Sequence, residues 1–255
     1  MRLVQQILTH NDCYRSGRTI RPKGIMVHST GANNPKVSRY VPGNSQLGRN
    51  TYGNHWDRSG VNTCVHAFIG KFADGKVGTV QTLPWNRRGW HCGKGRNGSA
   101  NDTHISFEIC EDGLTSPTYF DSVYQEAVEL TAMLCNEYEF DPLKDGIVIC
   151  HAEGNRRGVA SAHADVEHWF TKHGKSMNDF RADVARSMKE GDEMSYEQFK
   201  EYMDQYRKEL ANQKPSSWAK SKLDEAKRKG ITDGSRPKDL ATREDVALMV
   251  NAATK

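Results

Sequence analysis

Apolar and polar residues alternate at a period of two in several short stretches of the first half of the chain, the spacing of half-buried strands. Residues 23–29 (KGIMVHS) place Ile25 and Val27 on one face and Met26 and His28 on the other. Residues 64–70 (CVHAFIG) and 76–82 (KVGTVQT) read as a hairpin, because Ala73-Asp74-Gly75 between two apolar runs favours a tight turn. In residues 104–110 (HISFEIC), Ile105, Phe107 and Ile109 point one way while Ser106 and Glu108 point the other. The run 146–150 (GIVIC) has no polar alternation and reads as a short buried strand.

Helical spacing takes over elsewhere. Ser122 and Gln125 have the spacing of a capping box, and Val123, Ala127, Leu130 and Leu134 follow on one face. A helix over residues 177–188, capped by Ser176, closes this part of the chain. Beyond residue 191 the pattern is helical throughout. Ser195 and Gln198 form a second box ahead of Phe199, Met203, Tyr206 and Leu210, and Pro215 ends that helix. Residues 218–229 make another helix, stopped by Gly230, and Thr242 with Asp245 caps a third. Strands mixed with helices, followed by helices alone, predict an α/β unit with a mixed central β-sheet flanked by helices, plus a small all-helical C-terminal module. The boundaries fall at 1–190, a helical linker at 191–215, and the module at 216–255. Three short helices can bury only a thin core.

Composition sharpens this division. All ten His and all six Cys of the 255 residues lie between His10 and His173. The six Cys contain no C-x-x-C pair, so they read as reduced, buried thiols rather than a metal cluster. A mean hydropathy of −0.77 and apolar runs of only a few residues exclude a helical membrane span. Residues 1–11 lack the apolar core of a secretory signal, which predicts a chain made in the cytoplasm. The net charge is +4, and residues 1–190 carry 23 Lys/Arg against 20 Asp/Glu, without the basic excess that nucleic acid binding requires.

Two long stretches without periodicity, residues 31–62 and 84–103, hold Trp56, Trp85, Trp90, His55 and His91. Loops of that length in a compact unit are commonly functional, so a binding surface is expected there. Trp56, Trp90, His91 and the strand residue His66 are its candidate substrate contacts. Each also has a structural reading: Trp56 as a loop anchor, His91 packed on Trp90, and His66 as a hydrogen-bonded core group.

His28 and His151 each follow an apolar strand, a rigid place to mount a ligand. Asp165 comes fourteen residues after His151, within His163-Ala164-Asp165. Two imidazoles and a carboxylate can hold Zn²⁺ and leave one tetrahedral position open.

Five segments extend the pattern: MVHST around His28, VHAFIG around His66, WHCG from Trp90, SFEICED around Glu108, and CHAEGNRRGVASAHADVEHWF from Cys150. In this order they resemble the type 2 zinc-dependent N-acetylmuramoyl-L-alanine amidases, which share a fold with peptidoglycan recognition proteins. The resemblance covers about residues 20–187. It implies a mixed sheet with a zinc cleft open to peptidoglycan, with His28, His151 and Asp165 as metal ligands. The family's Pro after the third ligand is replaced by Val166. Glu108 matches the carboxylate that serves as base, and His163 stands where many members place an oxyanion-stabilising Lys. His163 is itself a good zinc ligand, so the third ligand is Asp165 by the family register or His163 by donor chemistry.

The implied reaction is hydrolysis of the amide between the lactyl group of N-acetylmuramic acid and L-alanine of the stem peptide. The alternative is a non-catalytic peptidoglycan-binding module, against which the presence of Glu108 beside all three ligands argues. The C-terminal segment, about residues 216–253, resembles a single S-layer-homology repeat, as appended to clostridial phage lysins. It implies wall targeting, or a helical tail that docks or assembles. Together these features predict a phage or prophage endolysin that acts at the cell wall after release, with peptidoglycan as partner and neither nucleic acid nor membrane.

Overall fold

The computed structural model describes residues 1–192 and 196–254. Two compact units are present, Met1–Gly191 and Asp192–Lys255. The first is built on a six-stranded sheet: β1 (Leu3–Gln5), β2 (Gly24–Ser29), β3 (Ala67–Lys71), β4 (Val77–Gln81), β5 (His104–Ile109) and β6 (Val148–Cys150). The spatial order is β1-β4-β3-β5-β2-β6. Only β3 and β4 pair antiparallel, as the hairpin turn at Gly75 (φ +77°) demands; all other neighbours are parallel. The sheet is therefore mixed, as the alternating patterns predict.

The period-two faces are realised residue by residue. Ile25, Val27, Ile105, Phe107 and Ile109 are fully buried in one core. Covering them are α2 (Pro117–Glu137), through Phe120, Val123, Ala127, Leu130 and Leu134, and α5 (Met177–Asp192), through Phe180 and Val184. Each of these Val, Leu, Ile and Phe side chains contributes about 1.5–3 kcal/mol by leaving water. On the other face, Phe68 and Val80 pack beneath residues 31–62, whose Val37, Tyr40, Val41 and Leu47 are buried. That long segment is anchored by a core of its own.

Local chemistry corrects two sequence expectations and adds a strand that the pattern did not show. Helix α2 begins at Pro117, before Ser122, because Ser116 caps it by accepting from the Tyr119 N–H and Pro117 occupies the first turn without needing a partner. Ser122 instead donates its hydroxyl to the Thr118 carbonyl within the helix. The edge strand β1, three residues paired with β4, is too short for its alternation to register. The hairpin's first strand starts at Ala67, not Cys64, whose backbone bridges to Trp90 instead.

Three further helices belong to the first unit or lead from it: α1 (Asp12–Arg15), α3 (His151–Arg156) and α4 (Glu167–Phe170). The second unit holds α6 (Tyr196–Ala211), α7 (Ser217–Arg228) and α8 (Arg243–Ala253). The helix expected as a linker thus groups with the other two. Gly230 (φ +67°) ends α7, and Thr242 caps α8 through reciprocal bonds with Asp245. The Ser195–Gln198 box lies outside the described residues. Among the described residues of this unit none is buried, consistent with the thin core expected. No described helix is long and apolar enough to cross a membrane.

Candidate metal centre and cleft

Because β2, β5 and β6 run parallel, their C-terminal ends lie on one edge of the sheet, where α/β folds characteristically place ligands. That edge brings together residues far apart in sequence. His28 is the penultimate residue of β2 and the register partner of Glu108 on β5. His151 follows β6 directly and opens α3, so it sits at a strand-to-helix junction rather than in a loop. Glu153 holds that junction: it accepts from the Cys150 N–H at 3.1 Å and pairs with both terminal nitrogens of Arg181 on α5.

The donor atoms of His28, His151 and Asp165 converge within 4.8 Å. His28 Nδ1 lies 3.0 Å from the Asp165 carboxylate and 3.2 Å from His151 Nδ1, and His151 Nδ1 lies 3.6 Å from the other carboxylate oxygen. Ligands about 2.0–2.1 Å from a tetrahedral zinc stand about 3.3 Å from each other, so these separations are of the size that zinc requires. Both histidines are buried. Burial drives the His28 pKa down, keeping the ring neutral as a ligand must be. Burial alone would raise Asp165, but the adjoining His151 and His28 rings hold it well below the ordinary carboxylate range. The donor set and its spacing fit a zinc ion.

Around these residues opens a cleft of about 600 Å³, lined among others by Trp90, His91, Glu108, Ser161, His163 and His168. Glu108 is half-buried, with Oε2 enclosed and without a partner. Burial, reinforced by Asp165 and Glu111, raises its pKa well above the ordinary value. A carboxyl so placed is suited to exchange protons rather than to form an ion pair. His91 Nδ1 lies 2.9 Å from His28 Nε2; burial and the adjoining His28 ring keep His91 neutral. His163 is exposed on the cleft side, its ring 4.5 Å from that of His151. It is not in the cluster of converging donors, which is formed by His28, His151 and Asp165.

Two sequence candidates lie elsewhere. His66 is fully buried and does not line the cleft: its Nδ1 accepts from the Ser106 N–H and its Nε2 donates to the Arg87 carbonyl. Burial lowers its pKa to about 4. Trp56, itself in the 31–62 segment, packs edge-on against Tyr40 and Phe68, outside the cleft lining. For both, the structural reading describes where they sit. The charged residues after His151 are paired, Arg156 with Glu167 and Arg157 with Asp145. All six Cys are buried and free, and Cys92 borders the cleft.

Sequence reasoning passed over Ser161, Glu111 and the cleft role of His168. His168 Nε2 lies 2.9 Å from Glu111, whose side chain is buried at the end of β5. His168 also contacts the Ala164 carbonyl through both its backbone N–H and its ring, steadying the segment that carries Asp165. The one available signal was the S-x-H-x-D-x-x-H spacing of polar residues in a segment otherwise rich in Ala.

Comparisons with known proteins bear on the fold and the family. No curated protein sequence matches the chain. Among solved structures, a Staphylococcus aureus hydrolase, AmiA, in complex with its ligand is 18% identical with a TM-score of 0.54, over 73% of this chain and 82% of that one. The catalytic domain of PlyG is 20% identical with a TM-score of 0.51, over 74% and 96%. A mutant of PlyL is 19% identical with a TM-score of 0.51, over 72% and 99%. These likenesses establish a shared fold. The Amidase_2 family, N-acetylmuramoyl-L-alanine amidase, matches residues 18–169, which is more than half of the chain and includes every residue of the cleft named above. The chain belongs to the N-acetylmuramoyl-L-alanine amidase family.

Proposed function

We propose that this amidase is zinc-dependent, with His28, His151 and Asp165 as ligands, and that it acts as an endolysin. The observation that carries the reading is the convergence of His28 Nδ1, His151 Nδ1 and the two Asp165 carboxylate oxygens, at separations of 3.0, 3.2 and 3.6 Å, beside the enclosed, unpartnered Glu108 Oε2.

Zinc bound there would polarise the scissile carbonyl and bring the pKa of water towards about 7. Glu108 takes the proton of the attacking water, its raised pKa suiting it to hold that proton, and returns it to the departing alanine amine. His163, exposed beside His151, contacts the carbonyl oxygen as negative charge develops there. Trp90 and His91 border the cleft and contact the muramyl-peptide. Trp90 offers a flat apolar ring to a sugar, and the Arg88 guanidinium lies over that ring at 5.3 Å. The helical unit, Asp192–Lys255, carries exposed Leu240, Val246, Leu248 and Val250, which support a wall-targeting or assembly role.

Digestion of purified cell walls tests the reading. New N-terminal alanine amines appear, they cease on chelation, and they return with added zinc. Release of reducing sugar without those amines, or release insensitive to a chelator, contradicts it.

A further inference from the structure

Ser161 makes three side-chain contacts, and counting its hydrogens and lone pairs fixes the direction of each. Its Oγ lies 3.1 Å from the Cys92 carbonyl oxygen, 3.3 Å from His151 Nε2 and 3.2 Å from His163 Nδ1. A carbonyl only accepts, so the single hydroxyl hydrogen goes to Cys92. The two lone pairs that remain accept from the two rings. His151 therefore carries its proton on Nε2 and His163 carries one on Nδ1. One donor and two acceptor sites meet three partners, and nothing is left over.

We infer that Ser161 is a positioning residue that sets the tautomers of His151 and His163 together. Resting on the proposed metal centre, this assignment explains why His151 presents Nδ1 to it: with the proton held on Nε2, the Nδ1 lone pair faces His28 Nδ1 and the Asp165 carboxylate. His28 Nε2 meets His91 Nδ1, a contact in which either ring can be the donor. For His163 the consequence is on the substrate side. Nδ1 is committed to Ser161, so Nε2, which has no hydrogen bond among the described residues, is the atom that meets the muramyl-peptide, and it donates to the carbonyl oxygen only in the ring form that carries a proton on both nitrogens. The hub is rigid because the Ser161 N–H also donates to the Cys92 carbonyl, at 2.8 Å. Gly93, the next residue after Cys92, lies so close that a Cβ there would stand 3.0 Å from Ser161 Oγ.

The test uses the full chain with Ser161→Ala and Ser161→Thr, the second keeping the hydroxyl. Zinc affinity is measured by competition with a chromophoric chelator, and the imidazole nitrogens are read by ¹⁵N NMR. Ser161→Ala weakens zinc binding about 10- to 100-fold, the range found when a group orienting a metal ligand is removed. It also frees the His163 ring from its Nδ1–H form, while Ser161→Thr keeps both properties of the wild type. Wild-type zinc affinity in Ser161→Ala, or a wild-type His163 with Nδ1 unprotonated in its neutral form, overturns the assignment. The His163 tautomer is read in the metal-free chain, so it decides the Ser161 assignment even if the wild type takes up no zinc, a result that would overturn the metal-centre reading itself.

Discussion

His28 on β2 and Glu108 on β5 are register partners on adjacent parallel strands, so both side chains project from the same face of the sheet at its C-terminal edge. A candidate ligand and a candidate base are thereby placed side by side by backbone hydrogen bonding alone. The framework that holds them is buried: Ile25, Val27, Ile105, Phe107 and Ile109 of these two strands lie in one core.

That separation of tasks predicts the behaviour of Glu108→Gln. The amide fills the same space but cannot accept and return a proton, so the rate of wall digestion falls about 10²- to 10⁴-fold. Zinc content measured by atomic absorption stays at the wild-type level. Loss of the metal in this variant would show that Glu108 supports the centre rather than the proton transfer.

The ligand set separates by the same measurement. His28→Ala, His151→Ala and Asp165→Ala each lose stoichiometric zinc, because each removes one corner of the donor triangle. His163→Ala keeps its zinc and loses rate, since that ring stands outside the triangle. Retention of zinc by Asp165→Ala, with loss in His163→Ala, would exchange the two roles.

How far the sequence carried this site depended on range. The alternation in residues 23–29 and 104–110 was enough to place His28 and Glu108 on the faces where they lie, because strand periodicity is local. Ser161 and the Glu111–His168 pair were not legible, since each depends on packing between segments far apart: 57 residues separate Glu111 from His168, and 69 separate Ser161 from Cys92. His66 and Trp56 show the converse. Their residue types suit a carbohydrate surface, and only the packed structure shows them satisfied inside it.

Burial of neutral His66 gives the fold a pH dependence of its own. The ring titrates at about 4 in the folded chain against 6.5 when unfolded, so between those values the unfolded chain binds the extra proton. Stability is therefore unaffected above pH 6.5 and declines as pH falls towards 4, by about 3 kcal/mol in all. Urea unfolding of wild type and His66→Gln across this range checks it, with the variant losing the His66 part of the slope. Equal slopes would show that His66 is protonated in the fold.

Trp169 is fully buried four residues after Asp165, against Tyr119 and Phe120 of α2. Its replacement by Ala leaves a cavity and costs about 3–5 kcal/mol by chemical denaturation. Because the same segment carries Asp165, zinc affinity falls with it. A stable variant with weakened zinc binding would confine the role of Trp169 to the ligand segment.

The most direct test of the proposed centre is an anomalous difference map from crystals grown with zinc and measured at the zinc absorption edge. The account predicts one strong peak bound by His28 Nδ1, His151 Nδ1 and the Asp165 carboxylate, with Glu108 beside it but not coordinating. A peak held by His163 in place of Asp165, or zinc bound elsewhere with this triangle left empty, would contradict it.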